Sequence, residues 1–73
     1  MKILYVNYGN DDSAFEVRND FLFPRLEELG FVSQGKDDDE WPVPDDRVAE
    51  VEQEIERMNE RYSVKLYTDW SRG

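Results

Sequence analysis

The sequence predicts a small single-domain α+β fold spanning residues 1–73. Three features carry that expectation. Strand-like segments lie near both ends of the chain, at about 2–8 and 63–69. Before the second of them, Val48, Val51, Ile55, Met58 and Tyr62 recur at helical period. Four Phe, four Tyr and two Trp give so short a chain enough bulk to collapse.

Lys2 to Tyr8 is rich in β-branched and aromatic residues and closes on the turn composition Gly9-Asn10-Asp11-Asp12. Ile3 and Tyr5 fall on one face and Leu4, Val6 and Tyr8 on the other, so this strand is expected at the centre of a sheet. Residues 14–18, Ala-Phe-Glu-Val-Arg, alternate and are assigned a second strand. The competing assignment is a helix capped by Asp12 or Ser13, with Phe15, Leu22, Leu26 and Leu29 along one face. Pro24 favours the strand. Proline inside a helix costs about 3 kcal/mol, and Phe23 before it is biased to extended geometry.

A short helix is then expected at about 24–29, with Gly30 as its left-handed cap and Phe31 folding back as the hydrophobic contact. Gln34 to Asp46 reads as a polar loop, stiffened by Pro42 and Pro44 and anchored to the core by Trp41 and Val43. Asp45 or Asp46 is placed as the cap of one long amphipathic helix, about 45–61. Arg57 and Arg61 fall in its last turns, where the macrodipole favours cations. Packing this helix across a small antiparallel or mixed sheet that pairs the end strands is the simplest α+β solution.

Composition excludes several functions. With no Cys there is no disulfide framework, zinc knuckle or thiol nucleophile. With no His, serines 13, 33, 63 and 71 lack the usual activating base. The glycines are scattered and form no phosphate loop. Counting an EF-hand from Asp37 puts Pro42 at the sixth position and Val48 at the twelfth, where glycine and glutamate are required. No catalysis, cofactor or metal is expected. Nothing approaches a membrane-spanning stretch of about 18 apolar residues, and the first residues turn polar too soon for a signal peptide. A cytoplasmic setting is the expectation.

The formal charge of −9 exceeds the magnitude of about 2–8 that solubility asks of a small domain. It disfavours direct contact with nucleic acid or an anionic membrane. Its distribution is more informative than its size. Residues 37–60 hold eleven acids against Arg47 and Arg57, while residues 1–36 and 61–73 cancel each other. Within the helix, Glu50 and Glu54 share a flank with Arg47, Arg57 and Arg61, where neighbouring pairs neutralise. The opposite flank holds Glu52, Glu56 and Glu60 and no base. Like charges at this i, i+4 spacing destabilise a helix by about 0.2–0.5 kcal/mol per pair, a cost that stability alone does not explain.

In size and charge, though in no motif, the chain resembles the small acidic inhibitors of phages and mobile elements, such as DNA-mimic anti-restriction and anti-CRISPR proteins. That resemblance implies a protein partner with a basic surface of the kind that binds nucleic acid. The expected contact residues are Asp37, Asp38, Asp39, Glu40, Trp41, Glu52, Glu56 and Glu60, on a chain expected to be a monomer. Two alternatives compete: an acidic domain adapted for solubility or high salt, and a small subunit that binds by adding a strand to a sheet edge.

Overall fold

The computed structural model describes residues 1–72. Strand β1 (Lys2–Asn7) lies between β2 (Glu40–Val43) and β3 (Tyr67–Arg72), both antiparallel to it. The central position follows from the apolar residues on both its faces. Trp41 and Trp70 flank Leu4 on one side of the sheet, and Glu40 and Asp69 flank Tyr5 on the other. Two helical runs of 17 and 18 residues accompany the sheet. They cover the Leu4 face, where Leu4, Val6, Trp41 and Val43 join Ala14, Val17, Leu22, Leu26, Val51 and Ile55 in one core.

The hydrogen-bond direction of each strand can be traced. Glu40 accepts from the Gln34 N–H at 2.7 Å and donates to the Gln34 carbonyl at 3.2 Å, turned away from β1. Main-chain groups of an antiparallel strand alternate in direction. Trp41 and Val43 therefore face β1, pairing with Leu4 and Lys2. By the same alternation Ile3, Tyr5 and Asn7 bond β3, and Val6 turns its carbonyl to the β2 side, beyond the end of that strand.

The expected strand at 14–18 is a helix instead. Helix α1 (Asp12–Val17) runs into a π-helical turn (Arg18–Leu22) and then into α2 (Phe23–Glu28) without a break. The cap is Asp11, whose Oδ1 accepts from the Ser13 N–H at 2.9 Å and the Ala14 N–H at 3.5 Å. Pro24 does not divide the run, so the short helix expected at 24–29 is only its last part. The wide turn ahead of Pro24 sends the Phe23 N–H to the Arg18 carbonyl, five residues back, in the i→i+5 pattern of a π turn. That turn also keeps the apolar face in register. The buried residues Ala14, Val17, Leu22 and Leu26 are spaced by three, five and four, and the step of five spans the π turn. Phe15, expected on that face, is exposed and packs edge-on against Tyr8 at 4.8 Å.

The end of α2 matches expectation. Gly30 has φ +96, its N–H bonds the Glu27 carbonyl, and the Phe31 N–H reaches back to Leu26 at 3.0 Å with Phe31 buried. The polar loop contains a strand, β2, which the two prolines disguised. Pro42 is tolerated because its nitrogen faces outward on an edge strand, where no ladder donor is needed.

The long helix α3 (Val48–Tyr62) follows a 3-10 turn (Asp45–Arg47). Neither aspartate caps it; Asp45 instead pairs with the N-terminal ammonium at 3.1 Å. Ser63 ends α3 in the left-handed region, at φ 52. The Asn59 side chain then donates to the Leu66 carbonyl at 3.2 Å and accepts its N–H at 2.8 Å. These bonds hold residues 63–66 out of the sheet, so the last strand starts at Tyr67 and not at residue 63.

Candidate functional site

Helix α3 presents three different faces. Val51 and Ile55 point into the core. The flank beside α2 carries Glu54, which is buried to 7% exposure yet charged. Its carboxylate accepts from Arg25 Nε at 3.4 Å and from Arg57 Nη1 at 3.2 Å. Arg47 Nη2 bonds Glu50 at 2.7 Å on the same flank and also donates to the Leu29 carbonyl at 3.1 Å. Hydrogen bonding to Glu54 raises the Arg25 guanidinium above its ordinary value. Arg47 likewise holds the Glu50 carboxyl below the usual carboxylate range. The stability from Glu50 is therefore present above its unfolded pKa and is lost as the pH falls through the lowered folded value.

The other flank is different. Glu52, Glu56 and Glu60 are all exposed. Among the described residues, the ion pairs of the helices involve Glu28, Glu50 and Glu54, and none reaches these three. At 1.5 Å rise per residue, their carboxylates form a row with steps of about 6 Å. Asn59 marks which way this flank faces: it lies about 20° from Glu52 around the helix and bonds Leu66, the residue before β3. The row is thus turned toward the β3 side of the molecule, away from α2.

The acidic loop does not join that row into one face. Asp37 and Asp38 border a cleft of about 610 Å³ lined by Phe15, Arg18, Asn19 and Phe23 of the first helical run. Asp39 lies with Arg18 and Asp69 around a second cleft of about 230 Å³, next to Tyr5. Trp41 is not a surface anchor. It is 1% exposed, and its ring meets Phe23 at a centroid distance of 5.1 Å. Of the expected contact residues, Glu52, Glu56 and Glu60 form one group and Asp37, Asp38, Asp39 and Glu40 another. Trp41 belongs to the core.

Glu40 has a local role on the open side of the sheet. Hydrogen bonding to its carboxylate, with added repulsion from Asp39, holds the Tyr5 phenol above its ordinary value. A phenol raised in the folded state stabilises at pH below its unfolded pKa, and that stability is lost as the pH rises through the folded value. Glu40→Gln is expected to return Tyr5 toward its ordinary titration, followed by the ring resonances of Tyr5 against pH. An unmoved curve would place the cause elsewhere.

A residue whose position the sequence did not reveal is Arg18. It sits between both clefts and donates from Nη1 to the Val6 carbonyl at 3.0 Å, the acceptor left over where β2 stops. Its guanidinium also lies over Tyr8, Phe15 and Phe23. The nearby aromatics were the available signal, obscured by assigning residues 14–18 to a strand. Among the described residues, no group of three acidic side chains is arranged to hold a metal ion, and no helix is long and apolar enough to cross a membrane. Compared with family models, curated proteins and solved structures, the chain matches none.

Proposed function

We propose that this protein is a non-catalytic binding module, acting in a cytoplasmic setting, that docks the carboxylate row of α3 onto a basic surface of a partner protein. One observation carries the reading. Glu50 and Glu54 are each neutralised by arginines, while Glu52, Glu56 and Glu60 on the same helix stand exposed, with no ion pair among the described residues. The row is rigid because the opposite side of α3 is fixed in the core, so little side-chain-bearing backbone must be ordered on binding. Opposite-sign fields then speed encounter, with strong dependence on ionic strength. A regular row of anionic groups also fits a surface that ordinarily holds a nucleic-acid backbone, and inhibition by occupying such a surface is the corresponding activity. The Asp37–Asp39 loop adds to the field from beside α1.

Capture from host extract tests this. Wild-type protein is compared with a Glu52→Lys, Glu56→Lys, Glu60→Lys variant and with an Asp37→Lys, Asp38→Lys control. The expected partner is retained by wild type, lost by the helix variant, weakened by moderate salt and displaced by added DNA or RNA. Identical capture by wild type and the helix variant sinks the proposal. Glu56→Lys alone makes a sharper test, because it replaces two repulsions by two attractions. It is expected to raise the melting temperature slightly while weakening the partner complex.

A further inference from the structure

The sheet has two edges, and only one is closed. On the β2 edge, Glu40 already exchanges both main-chain groups with Gln34, and Pro42 has no N–H to offer. These are the devices by which proteins block strand addition. Strand β3 is six residues long, contains no proline and has no neighbour on its outer side among the described residues. Because Tyr67, Asp69 and Ser71 pair with Asn7, Tyr5 and Ile3, alternation turns the N–H and C=O groups of Thr68, Trp70 and Arg72 outward. They form an unoccupied ladder.

The carboxylate row lies on the same side of the molecule. The first helical run covers the β2 half of the sheet, where Phe23 packs on Trp41. Helix α3 lies beyond that run, with its Glu54 flank against α2 and its opposite flank on the side where Asn59 bonds Leu66 and the chain enters β3. We infer that the partner contributes an extended segment with Lys or Arg at alternate positions, which adds to β3 as a fourth strand beneath Glu52, Glu56 and Glu60. This rests on the docking role of the row proposed above and names what enters it.

The geometry fits on two counts. A residue opposite Thr68 or Trp70 points its side chain to the helix face, as those residues do. Alternate residues of a strand are about 6.7 Å apart, close to the step of about 6 Å between the carboxylates. Three basic side chains can thus meet three carboxylates in register. A second copy of this chain fits poorly. It would bring another −9 and a second carboxylate row to the same edge.

The probe is a capped seven-residue peptide alternating lysine with threonine, titrated into the intact chain. Binding is expected to slow hydrogen exchange at the Thr68, Trp70 and Arg72 amides. The same peptide N-methylated at its lysines keeps its charge but loses the ladder donors, and is expected to bind about tenfold more weakly. Thr68→Pro gives a similar loss, since its nitrogen faces outward as that of Pro42 does. Equal binding by the methylated peptide overturns strand addition while leaving the acidic row intact. If reversing Glu52, Glu56 and Glu60 to Lys leaves affinity for the unmodified peptide unchanged, the docking role of the row fails too. A dimer of the free chain in sedimentation, abolished by Thr68→Pro, makes the occupant a second copy and also overturns the inference.

Discussion

Trp41→Ala is expected to leave the chain largely unfolded at 25 °C. Removing a fully buried tryptophan from a core costs about 3–5 kcal/mol. A domain of this size draws roughly 3–5 kcal/mol from its single core, so the two nearly cancel. Trp41 is 1% exposed, faces Leu4 across the sheet and packs on Phe23. Its loss opens a void where the first helical run meets β2, with little else to fill it. Trp41→Phe keeps most of the ring volume. It also removes a buried indole N–H that has no acceptor among the described residues, so its cost should stay under about 1.5 kcal/mol. Far-ultraviolet circular dichroism against urea separates the two variants. A folded Trp41→Ala protein with near-wild-type stability contradicts the assignment of this residue as the keystone of the β2 side.

Arg18→Ala has the second largest expected effect. The side chain performs two tasks at once. Its Nη1 donates to the Val6 carbonyl at 3.0 Å, and its guanidinium lies 4.9, 5.3 and 5.1 Å from the ring centres of Tyr8, Phe15 and Phe23. A hydrogen bond from a charged donor contributes about 1.5–3 kcal/mol, and each partly exposed cation–π contact about 0.5–1 kcal/mol. Because these groups share one side chain, their contributions do not simply add, and a total loss of about 2–4 kcal/mol is expected. Arg18→Lys should recover only part of it, since an ammonium lacks the planar fork that bonds Val6 and stacks on rings together. Urea midpoints with unchanged slopes would report the loss as stability alone. A change within about 0.5 kcal/mol, typical of an ordinary surface residue, would remove Arg18 from this role.

Both residues show where sequence reading reached its limit. Trp41 was expected both to anchor the acidic loop to the core and to serve as a contact residue beside it, and its burial keeps only the first of these. Four residues are enough for a strand when a longer strand is present to pair with, and local composition contains no trace of β1. Residues 14–18 alternate like a strand, yet Ala14 and Val17 face the core of a helix. The π turn that admits Pro24 shifts the spacing to five, so the run matches neither a simple helical nor a simple strand pattern. The acidic surface was only partly legible. The absence of a base from the Glu52, Glu56 and Glu60 flank follows from helical spacing. Its separation from the Asp37–Asp39 loop does not, because the loop folds against α1.

Features set within a few residues of one another were legible in the chain. These are the central strand at Lys2–Asn7, the stripe of α3, the Gly30 cap with Phe31, and the concentration of charge in residues 37–60. Their causes are local: backbone sterics, helical period and the short reach of hydrogen bonds along the chain. Folding added the burial of Trp41, the reach of Arg25 to Glu54, the rescue of the Val6 carbonyl by Arg18, and the open edge at β3. Each depends on groups separated by many residues, whose energies appear only once a loop has closed and water has been excluded. The charge of α3 illustrates both levels. Periodicity separated its acids onto two flanks and set Arg47 and Arg57 beside Glu50 and Glu54, and packing against α2 added Arg25 to Glu54 while leaving the other flank exposed.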